Sequence, residues 1–191
     1  MLFRQLFDKD SSTYTYLIAD PDSQEAILVD TVLEQTDRDL QLLTELGLTL
    51  RYCLETHVHA DHVMGVDRLR GATGCMGIVP IHAPVSCADR RIEHGELLSL
   101  GEILVEAIAT PGHTDSHMAY RINGHRVLTG DALFIRGFST IAEEKRWNPR
   151  FAGRSRQEFI EFMNNLNLPN PKKMMEAVPA NELCGRMAMI A

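Results

Sequence analysis

Three histidines and one aspartate lie within six residues of this chain, directly after an apolar run. They are His57, His59, Asp61 and His62, in an HxHxDH pattern. Imidazole suits Zn, Fe, Ni and Cu, and a carboxylate adds a hard anionic ligand, so the set can hold a divalent ion without any thiolate. Solvated loop histidines are the weaker interpretation, because isolated surface histidines do not cluster in this way. The cluster therefore predicts a metal site.

Length and charge narrow the class of protein further. The 191 residues, 45% of them hydrophobic and 24% charged, predict a single globular domain over residues 1–191. A formal net charge of -7 argues against a nucleic-acid surface, which normally shows a basic stripe. We therefore expect small molecules as partners and do not expect the chain to bind nucleic acid.

The cysteines and the N-terminus bear on the cellular compartment. Cys53, Cys75, Cys87 and Cys184 are widely separated and form no CxxC pair, which predicts neither a thiolate zinc site nor a thioredoxin-type motif and favours a reducing compartment. The first ten residues contain acids and no long apolar segment, and no apolar stretch reaches the about 18–20 residues needed to span a bilayer. We expect a cytoplasmic protein with no membrane partner.

The first half of the chain predicts a strand, helix, strand order. Residues 13–18 and 25–30 are rich in β-branched and aromatic residues and are predicted to pair through the turn between them. Residues 36–39 are typical of a capping-box helix start, Gly47 is a stop signal, and a strand over 50–55 follows. The histidine cluster then lies just beyond a strand, where α/β folds commonly bind ligands.

The second half predicts another run of strands, notably over residues 103–108, 118–122 and 126–129. Residues 155–158 form a second capping-box pattern. The helix after it carries an apolar stripe that we expect to be core, made of Phe159, Phe162 and Met163. The overall pattern is an α/β chain with two sheets flanked by helices.

Two further motifs are typical of metal ligation. His113 follows a Pro-Gly turn in TPGHT, and Asp131 follows Gly130 in LTGDA. The Pro-Gly turn fixes the backbone sharply, and a glycine permits close approach of the backbone, so both motifs can hold a side chain at a defined position.

HxHxDH followed by a His and then an Asp resembles the ligand series of the metallo-β-lactamase fold. Much of the chain also resembles the persulfide dioxygenases, or sulfur dioxygenases, of the ethylmalonic-encephalopathy type within that superfamily. The similar segments are residues 4–8, 11–16, 55–62, 130–137, 143–150, 165–169 and 177–181. The resemblance implies an αββα sandwich, with two mixed β-sheets flanked by helices.

The resemblance also implies one Fe(II) per chain, held by His57, His113 and Asp131, and oxidation of glutathione persulfide with O2 to sulfite and glutathione. Two histidines and one carboxylate on one face of an octahedral ion leave three positions open, so O2 and a substrate sulfur can bind side by side. The remaining members of HxHxDH would then orient ligands or hold water, namely His59, Asp61 and His62.

Two arginines are the expected substrate contacts. A planar guanidinium suits the two carboxylates of glutathione, and Arg150 matches a substrate-binding arginine of the family. Arg136 is the second candidate, and surface ion pairing is an equally weighted interpretation of both. Homodimerisation is expected by family analogy alone.

The chain departs from the family in one place. Gly137 runs directly into Phe138, where family members carry a segment of several dozen residues, so a family segment is expected to be lacking there. No histidine follows His125, which leaves no candidate for the last ligand of a binuclear hydrolase site. His117 stands at a position where a small residue is usual and is not expected to be a ligand. The isolated histidines are assigned no role, namely His82, His94 and His125.

Two alternative functions stay open. One is a glyoxalase-II-like thioester hydrolase, in which two zinc ions generate a hydroxide nucleophile and His59, Asp61 and His62 are true ligands. The other is a degenerate, non-enzymatic paralogue that binds a metal structurally.

Overall fold

The computed structural model describes residues 1–133, 146–150, 152–167 and 169–186. The strands are β1 Leu2–Phe7, β2 Tyr14–Asp20, β3 Glu25–Val29, β4 Thr49–Leu54, β5 Met76–Pro80, β6 Arg90–Ile92, β7 Leu97–Leu100, β8 Ile103–Ala109, β9 Met118–Ile122 and β10 Arg126–Leu128. The α-helices are α1 Thr36–Glu45, α2 Val66–Thr73, α3 Arg156–Asn164 and α4 Met174–Glu182, with single 3₁₀ turns at Leu33–Gln35 and Gly130–Ala132. Within the described ranges, no helix has the length and apolar character needed to cross a membrane.

The first sheet contains six strands in the order β1-β2-β3-β4-β5-β6. Strands β1 to β3 are antiparallel, and Asp20 pairs with Glu25 at the predicted hairpin. Strands β3 to β6 run parallel. Helices α1 and α2 provide the crossovers from β3 to β4 and from β4 to β5, and residues 81–89 connect β5 to β6 without a helix. The predicted hairpin and the predicted strand, helix, strand order are both confirmed.

The second sheet contains four strands in the order β10-β9-β8-β7. A mixed arrangement is expected in both sheets and holds for the first, but all pairs described in the second are antiparallel. The reason is that short connections join consecutive strands, and only antiparallel neighbours can be joined in that way. The three predicted strands of this half are all present, as β8, β9 and β10.

The core lies between the two sheets. Side chains alternate along β3, so that Ile27 and Val29 face the second sheet whereas Ala26 and Leu28 face the helices. The inter-sheet layer includes Ile18, Leu54 and Ile78 from the first sheet, and Val105, Tyr120 and Ile122 from the second. Helices α1 and α2 cover the outer face of the first sheet through Leu43 and Leu69. The two sheets therefore pack as a sandwich, with α1 and α2 outside the first sheet.

The two predicted capping boxes differ in outcome. At α3 the box forms, since the Ser155 hydroxyl accepts from the backbone N–H of Glu158 and the Glu158 carboxylate accepts from the backbone N–H of Ser155. At α1 the prediction is wrong. Thr36 lies inside the helix and its hydroxyl donates to the carbonyl of Leu33, because the preceding 3₁₀ turn leads directly into α1.

The apolar stripe of α3 is not core within the described part of the chain, contrary to expectation. Phe159 and Phe162 are half-buried and Met163 is exposed. The Arg154 guanidinium lies over the Phe162 ring, 4.7 Å from its centroid. Phe162 is covered by a neighbouring arginine, and α3 belongs to none of the described buried clusters.

The cysteine prediction also needs correction. Cys87 and Cys184 are joined by a disulfide although 97 positions separate them in the sequence, and their Cα atoms are 6.0 Å apart. Cys53 and Cys75 are free, buried and adjacent, with their sulfur atoms 3.6 Å apart. Sequence spacing did not reveal either pair, because folding of α4 against the segment after β5 is what brings Cys184 to Cys87. The disulfide is thus a tertiary feature that the spacing of the cysteines does not show.

Candidate metal centre

Three connections at one edge of the sandwich carry the predicted metal ligands. His57 lies in the loop that follows β4, His113 in the connection between β8 and β9, and Asp131 in the 3₁₀ turn that follows β10. The first two connections are joined by a hydrogen bond of 2.8 Å from the backbone N–H of Met118 to the carbonyl of Thr56. That hydrogen bond joins the start of β9 to the loop after β4.

His57, His113 and Asp131 point toward one another. One ligand atom from each lies within 4.8 Å of the ligand atoms of the other two. His113 Nε2 is 3.4 Å from Asp131 Oδ2, and the rings of His57 and His113 meet edge to face at 4.8 Å between centroids. Two imidazoles and one carboxylate thus converge on a single point, which is a donor set suited to iron or zinc.

His57 is held by the chain in the orientation that a ligand needs. Its Nδ1 is 2.9 Å from the hydroxyl of Thr56, which in turn donates to Asp30 Oδ2. Its Nε2 is buried and has no hydrogen-bond partner among the described residues. Burial and the neighbouring imidazoles lower the pKa of His57, so the ring is neutral and can donate a lone pair. A buried, neutral, unpartnered nitrogen fits a metal ion.

Gly130 permits the close approach that brings Asp131 into the site. Its φ is +46°, and a Cβ at this position would lie 2.6 Å from the Thr56 hydroxyl oxygen and 2.8 Å from His117 Nε2. No side chain fits those distances. The prediction that glycine is needed here for a close backbone approach is therefore confirmed.

His59 is directed toward two buried carboxylates. Its Nε2 lies 3.2 Å from Asp30 Oδ1 and 3.3 Å from Glu55 Oε2. Burial opposes protonation of this ring, but the hydrogen bonds and charges of the two carboxylates outweigh it and raise the pKa of His59. The two carboxylates thus favour the protonated form of His59, with its Nε2 directed to Asp30 and Glu55.

His59, Asp61 and His62 form a second set whose ligand atoms lie within 4.8 Å of one another. Asp61 accepts from the Thr13 hydroxyl at 2.9 Å and lies 3.3 Å from His62 Nδ1. Burial acts against the charged form of Asp61, but these neighbours lower its pKa overall. His62 Nε2 is buried without a described partner. This set is compatible with a second metal ion.

His117 lies beside the site although the sequence assigns it no role as a ligand. Its ring stacks on His57 with centroids 5.1 Å apart, and its Nδ1 is 2.8 Å from the Thr110 hydroxyl. Burial is the main cause that lowers the pKa of His117 to about 4. His117 therefore supports the face of the His57 ring as a neutral side chain. It does not belong to any of the metal-compatible groups found among the described residues.

Three buried polar residues that support the site were missed by sequence reasoning. Asp30 accepts from the Thr56 backbone N–H at 2.7 Å and adopts a positive φ of +55°. Asn181 donates to the carbonyls of His59 and His62. The third is Glu55. The sequence signals were weak, since Asp30 only ends a predicted strand and Asn181 only belongs to a family-like segment far along the chain.

The predicted substrate arginines have no described contact with the site. Arg150 is half-buried, and its backbone N–H donates to Asn148 Oδ1. Arg136 lies outside the described residues. The three isolated histidines given no role are all exposed, in agreement with expectation, namely His82, His94 and His125.

Comparison with known proteins agrees with the geometry of the site. The family model described as "Metallo-beta-lactamase superfamily" matches residues 8–171. Human "Persulfide dioxygenase ETHE1, mitochondrial" is 37% identical over 228 residues, which cover 97% of this chain and 89% of the human protein. The chain belongs to the persulfide dioxygenase family of the metallo-β-lactamase superfamily. The crystal structure of ETHE1 from Myxococcus xanthus is 43% identical and superposes with a TM-score of 0.90, covering 97% of this chain and all of that one.

More distant relatives mark the limits of the persulfide dioxygenase assignment. Hydroxyacylglutathione hydrolase from Rhodopseudomonas palustris is 33% identical over 133 residues, but these cover 68% of this chain and 51% of the hydrolase.

The 228-residue alignment with the human relative exceeds the 191 residues of this chain, so at least 37 human residues have no counterpart here. Fold and donor set together support a metal cofactor.

Proposed function

We propose that this chain is an iron-dependent persulfide dioxygenase that oxidises glutathione persulfide with O2 to sulfite and glutathione. The observation that carries the proposal is the convergence of His57, His113 and Asp131, with ligand atoms within 4.8 Å, in a chain 37% identical to a persulfide dioxygenase over 97% of its length. Iron held there would supply a redox-active centre with open positions for O2 and the substrate sulfur.

The two sides of the proposed site have different tasks. Asp30 and Thr56 orient the His57 ring and keep it from turning away. His113 and Asp131 are 42% and 47% exposed in their side chains, so a substrate can approach from their side. Because burial excludes water from the His57 side, we infer that the persulfide enters across His113 and Asp131.

His59, Asp61 and His62 are proposed to support the iron ligands. The Nε2 of His59 already has two carboxylate partners, so its charge is balanced without a metal ion. Asp61 and His62 contact each other and Thr13, which holds the far end of the loop. Arg150 and Arg136 are proposed to bind the glutathione carboxylates through their planar guanidinium groups.

The test combines metal content with oxygen uptake. We expect one iron per chain and uptake of O2 that depends on glutathione persulfide. Replacing His57, His113 or Asp131 by Ala should abolish both, whereas His82→Ala should change neither because that ring is exposed and outside the site. Turnover that persists in a chain lacking any one of the three ligands would overturn the proposal.

A binuclear thioester hydrolase is the second candidate. Its support is the His59, Asp61 and His62 set and the unpartnered Nε2 of buried His62. Two zinc ions per chain with cleavage of a glutathione thioester would favour it over the dioxygenase. One metal ion without either activity would instead indicate a non-enzymatic paralogue.

Three further points belong to the proposal. We infer that the family segment without a counterpart falls between Gly137 and Phe138, and an intact mass of 21.5 kDa would show that the segment is truly deleted. A cytoplasmic location is inferred from the sequence, whereas the mammalian relatives are named as mitochondrial, and cell fractionation distinguishes the two. We also propose that the chain forms a homodimer, and light scattering tests this by measuring the mass in solution.

A further inference from the structure

We propose that the Cys87–Cys184 disulfide is a thiol-exchange site, through which low-molecular-weight thiols control how firmly the metal-binding loop is held. The metal-binding loop is here residues 57–64. This role goes beyond the proposed reaction, since it requires no turnover. The argument rests on where the disulfide lies and on what α4 contacts.

The disulfide joins the end of α4 to the segment that follows β5. Cys184 is 2% exposed and lies in a small apolar cluster with Val79, Ala83 and Val85. Cys87 is half-buried at the edge of the same cluster. The backbone N–H of Ser86 donates to the carbonyl of Glu182 at 3.1 Å. Cys87 is therefore the more exposed of the two cysteines, and Cys184 is shielded.

Helix α4 holds the metal-binding loop through one fully buried amide. Asn181 Nδ2 donates to the carbonyl of His59 at 2.9 Å and to the carbonyl of His62 at 2.8 Å, and Asn181 Oδ1 accepts from the backbone N–H of Met64 at 2.7 Å. Asn181 lies only three residues before Cys184. Anything that displaces the end of α4 removes all three hydrogen bonds from the loop.

The apolar attachment of α4 is small. Only Ala177 and Ala180 pack against Val63 in the described apolar cluster of this helix, and Met175 is 89% exposed. A nine-residue helix with little buried surface is marginal by itself. A disulfide that closes a loop of 97 residues restricts the chain strongly, so it adds a covalent constraint to the hydrogen bond from the Asp67 N–H to the Cys184 carbonyl and to the Arg186–Asp67 ion pair at the end of α4.

Thiol exchange releases this constraint in two balanced steps. The thiolate of an incoming thiol attacks Cys87 Sγ, a mixed disulfide forms on Cys87, and Cys184 leaves as a thiolate that takes up the proton lost by the thiol. A second thiol attacks the mixed disulfide and leaves Cys87 as a free thiol. The net change is one disulfide and two thiols converted into two protein thiols and one small disulfide.

The test compares oxidised and reduced protein loaded with Zn²⁺. Reduced glutathione is the probe, thiols are counted after denaturation, and the rate of Zn²⁺ transfer to a coloured chelator is measured. We expect two thiols before treatment, from Cys53 and Cys75, and four after it. Zn²⁺ release should become faster by on the order of tenfold on reduction, the size of effect seen when partners of metal ligands are lost.

Three variants make the test specific. Cys87→Ser should release Zn²⁺ at the reduced rate and show no response to glutathione. Cys75→Ser keeps the disulfide and should respond as the parent protein does. Asn181→Ala should release Zn²⁺ rapidly with or without the disulfide, because the link between α4 and the loop is already lost.

Two results would overturn the proposal. One is four thiols in protein purified without a reductant, and the other is equal release of Zn²⁺ before and after reduction. If Cys87→Ser does not fold, hydrogen exchange of the parent protein decides instead, since the backbone amides of residues 57–64 should lose protection on reduction while those of β8 do not. Equal exchange of both regions would also overturn it.

Discussion

The two halves of the candidate metal centre are built differently. His57 is 2% exposed and lies on a loop whose backbone is held by Asp30 and Asn181. His113 and Asp131 are 42% and 47% exposed and lie on short turns. The buried half is formed by the fold itself, whereas the exposed half has fewer constraints. The difference indicates that one half is preorganised and that the other is completed by what it binds.

The largest expected effect is the loss of metal binding, without a loss of stability, when a ligand of the exposed half is removed. His113→Ala and Asp131→Ala should each abolish metal binding while changing the free energy of unfolding of metal-free protein by no more than about 0.5 kcal/mol, because exposed side chains contribute little to stability. Metal analysis and urea denaturation measure the two quantities. A large loss of stability in either metal-free variant would contradict the comparison.

On the buried half, Asp30→Ala should be strongly destabilising. It leaves the Thr56 backbone N–H without its buried acceptor and His59 Nε2 with Glu55 as its remaining carboxylate partner, which is expected to cost about 1–3 kcal/mol. Urea denaturation of metal-free protein gives the value. Asp22→Ala, at an exposed turn position, is the matched control and should unfold like the parent protein. If Asp30→Ala and Asp22→Ala lowered the free energy of unfolding equally, the buried half would not be preorganised.

Gly130 lies between the two halves of the metal centre. Substituting it and, separately, a second glycine that has free space around it tests how the halves are connected. Gly130→Ala places a methyl group 2.6 Å from Thr56 Oγ1, whereas Gly124→Ala meets nothing within 4 Å, although both positions have a positive φ. Both variants should lose about 1 kcal/mol from backbone strain, and Gly130→Ala should lose more because its methyl group overlaps Thr56 and His117. Only Gly130→Ala should also weaken metal binding, by about tenfold, since it moves Asp131. Calorimetric titration with Zn²⁺ measures the difference.

The smallest expected effect is the pH dependence from His117. Its pKa is lowered to about 4 in the folded state from an ordinary value of 6.5, so between these values the unfolded chain binds a proton that the folded chain does not. The contribution of His117 to stability is therefore lost as the pH falls from 6.5 to 4. The free energy of unfolding should decline as the pH falls over this range, and His117→Gln should make that decline shallower. The change in slope should correspond to at most one proton taken up on unfolding. An unchanged slope would show that His117 is not held neutral by the fold.

Local patterns in the sequence predicted most of the elements. The hairpin of β2 and β3, the strands of the second sheet and the Ser155 cap were correct because each depends on residues close together in the chain. The Thr36 cap was wrong because a 3₁₀ turn precedes it, and the core role of the α3 stripe was wrong because burial depends on neighbours from elsewhere in the chain.

Sequence alone determined which side chains were candidates for the metal centre, since HxHxDH, His113 and Asp131 each stand in a recognisable local motif. The tertiary structure decided which of them meet, and it added Asp30, Glu55, Asn181 and the pairing of Cys87 with Cys184. These additions have no local signature. Their partners lie far along the chain, and only the packing of sheets and helices brings the atoms within bonding distance.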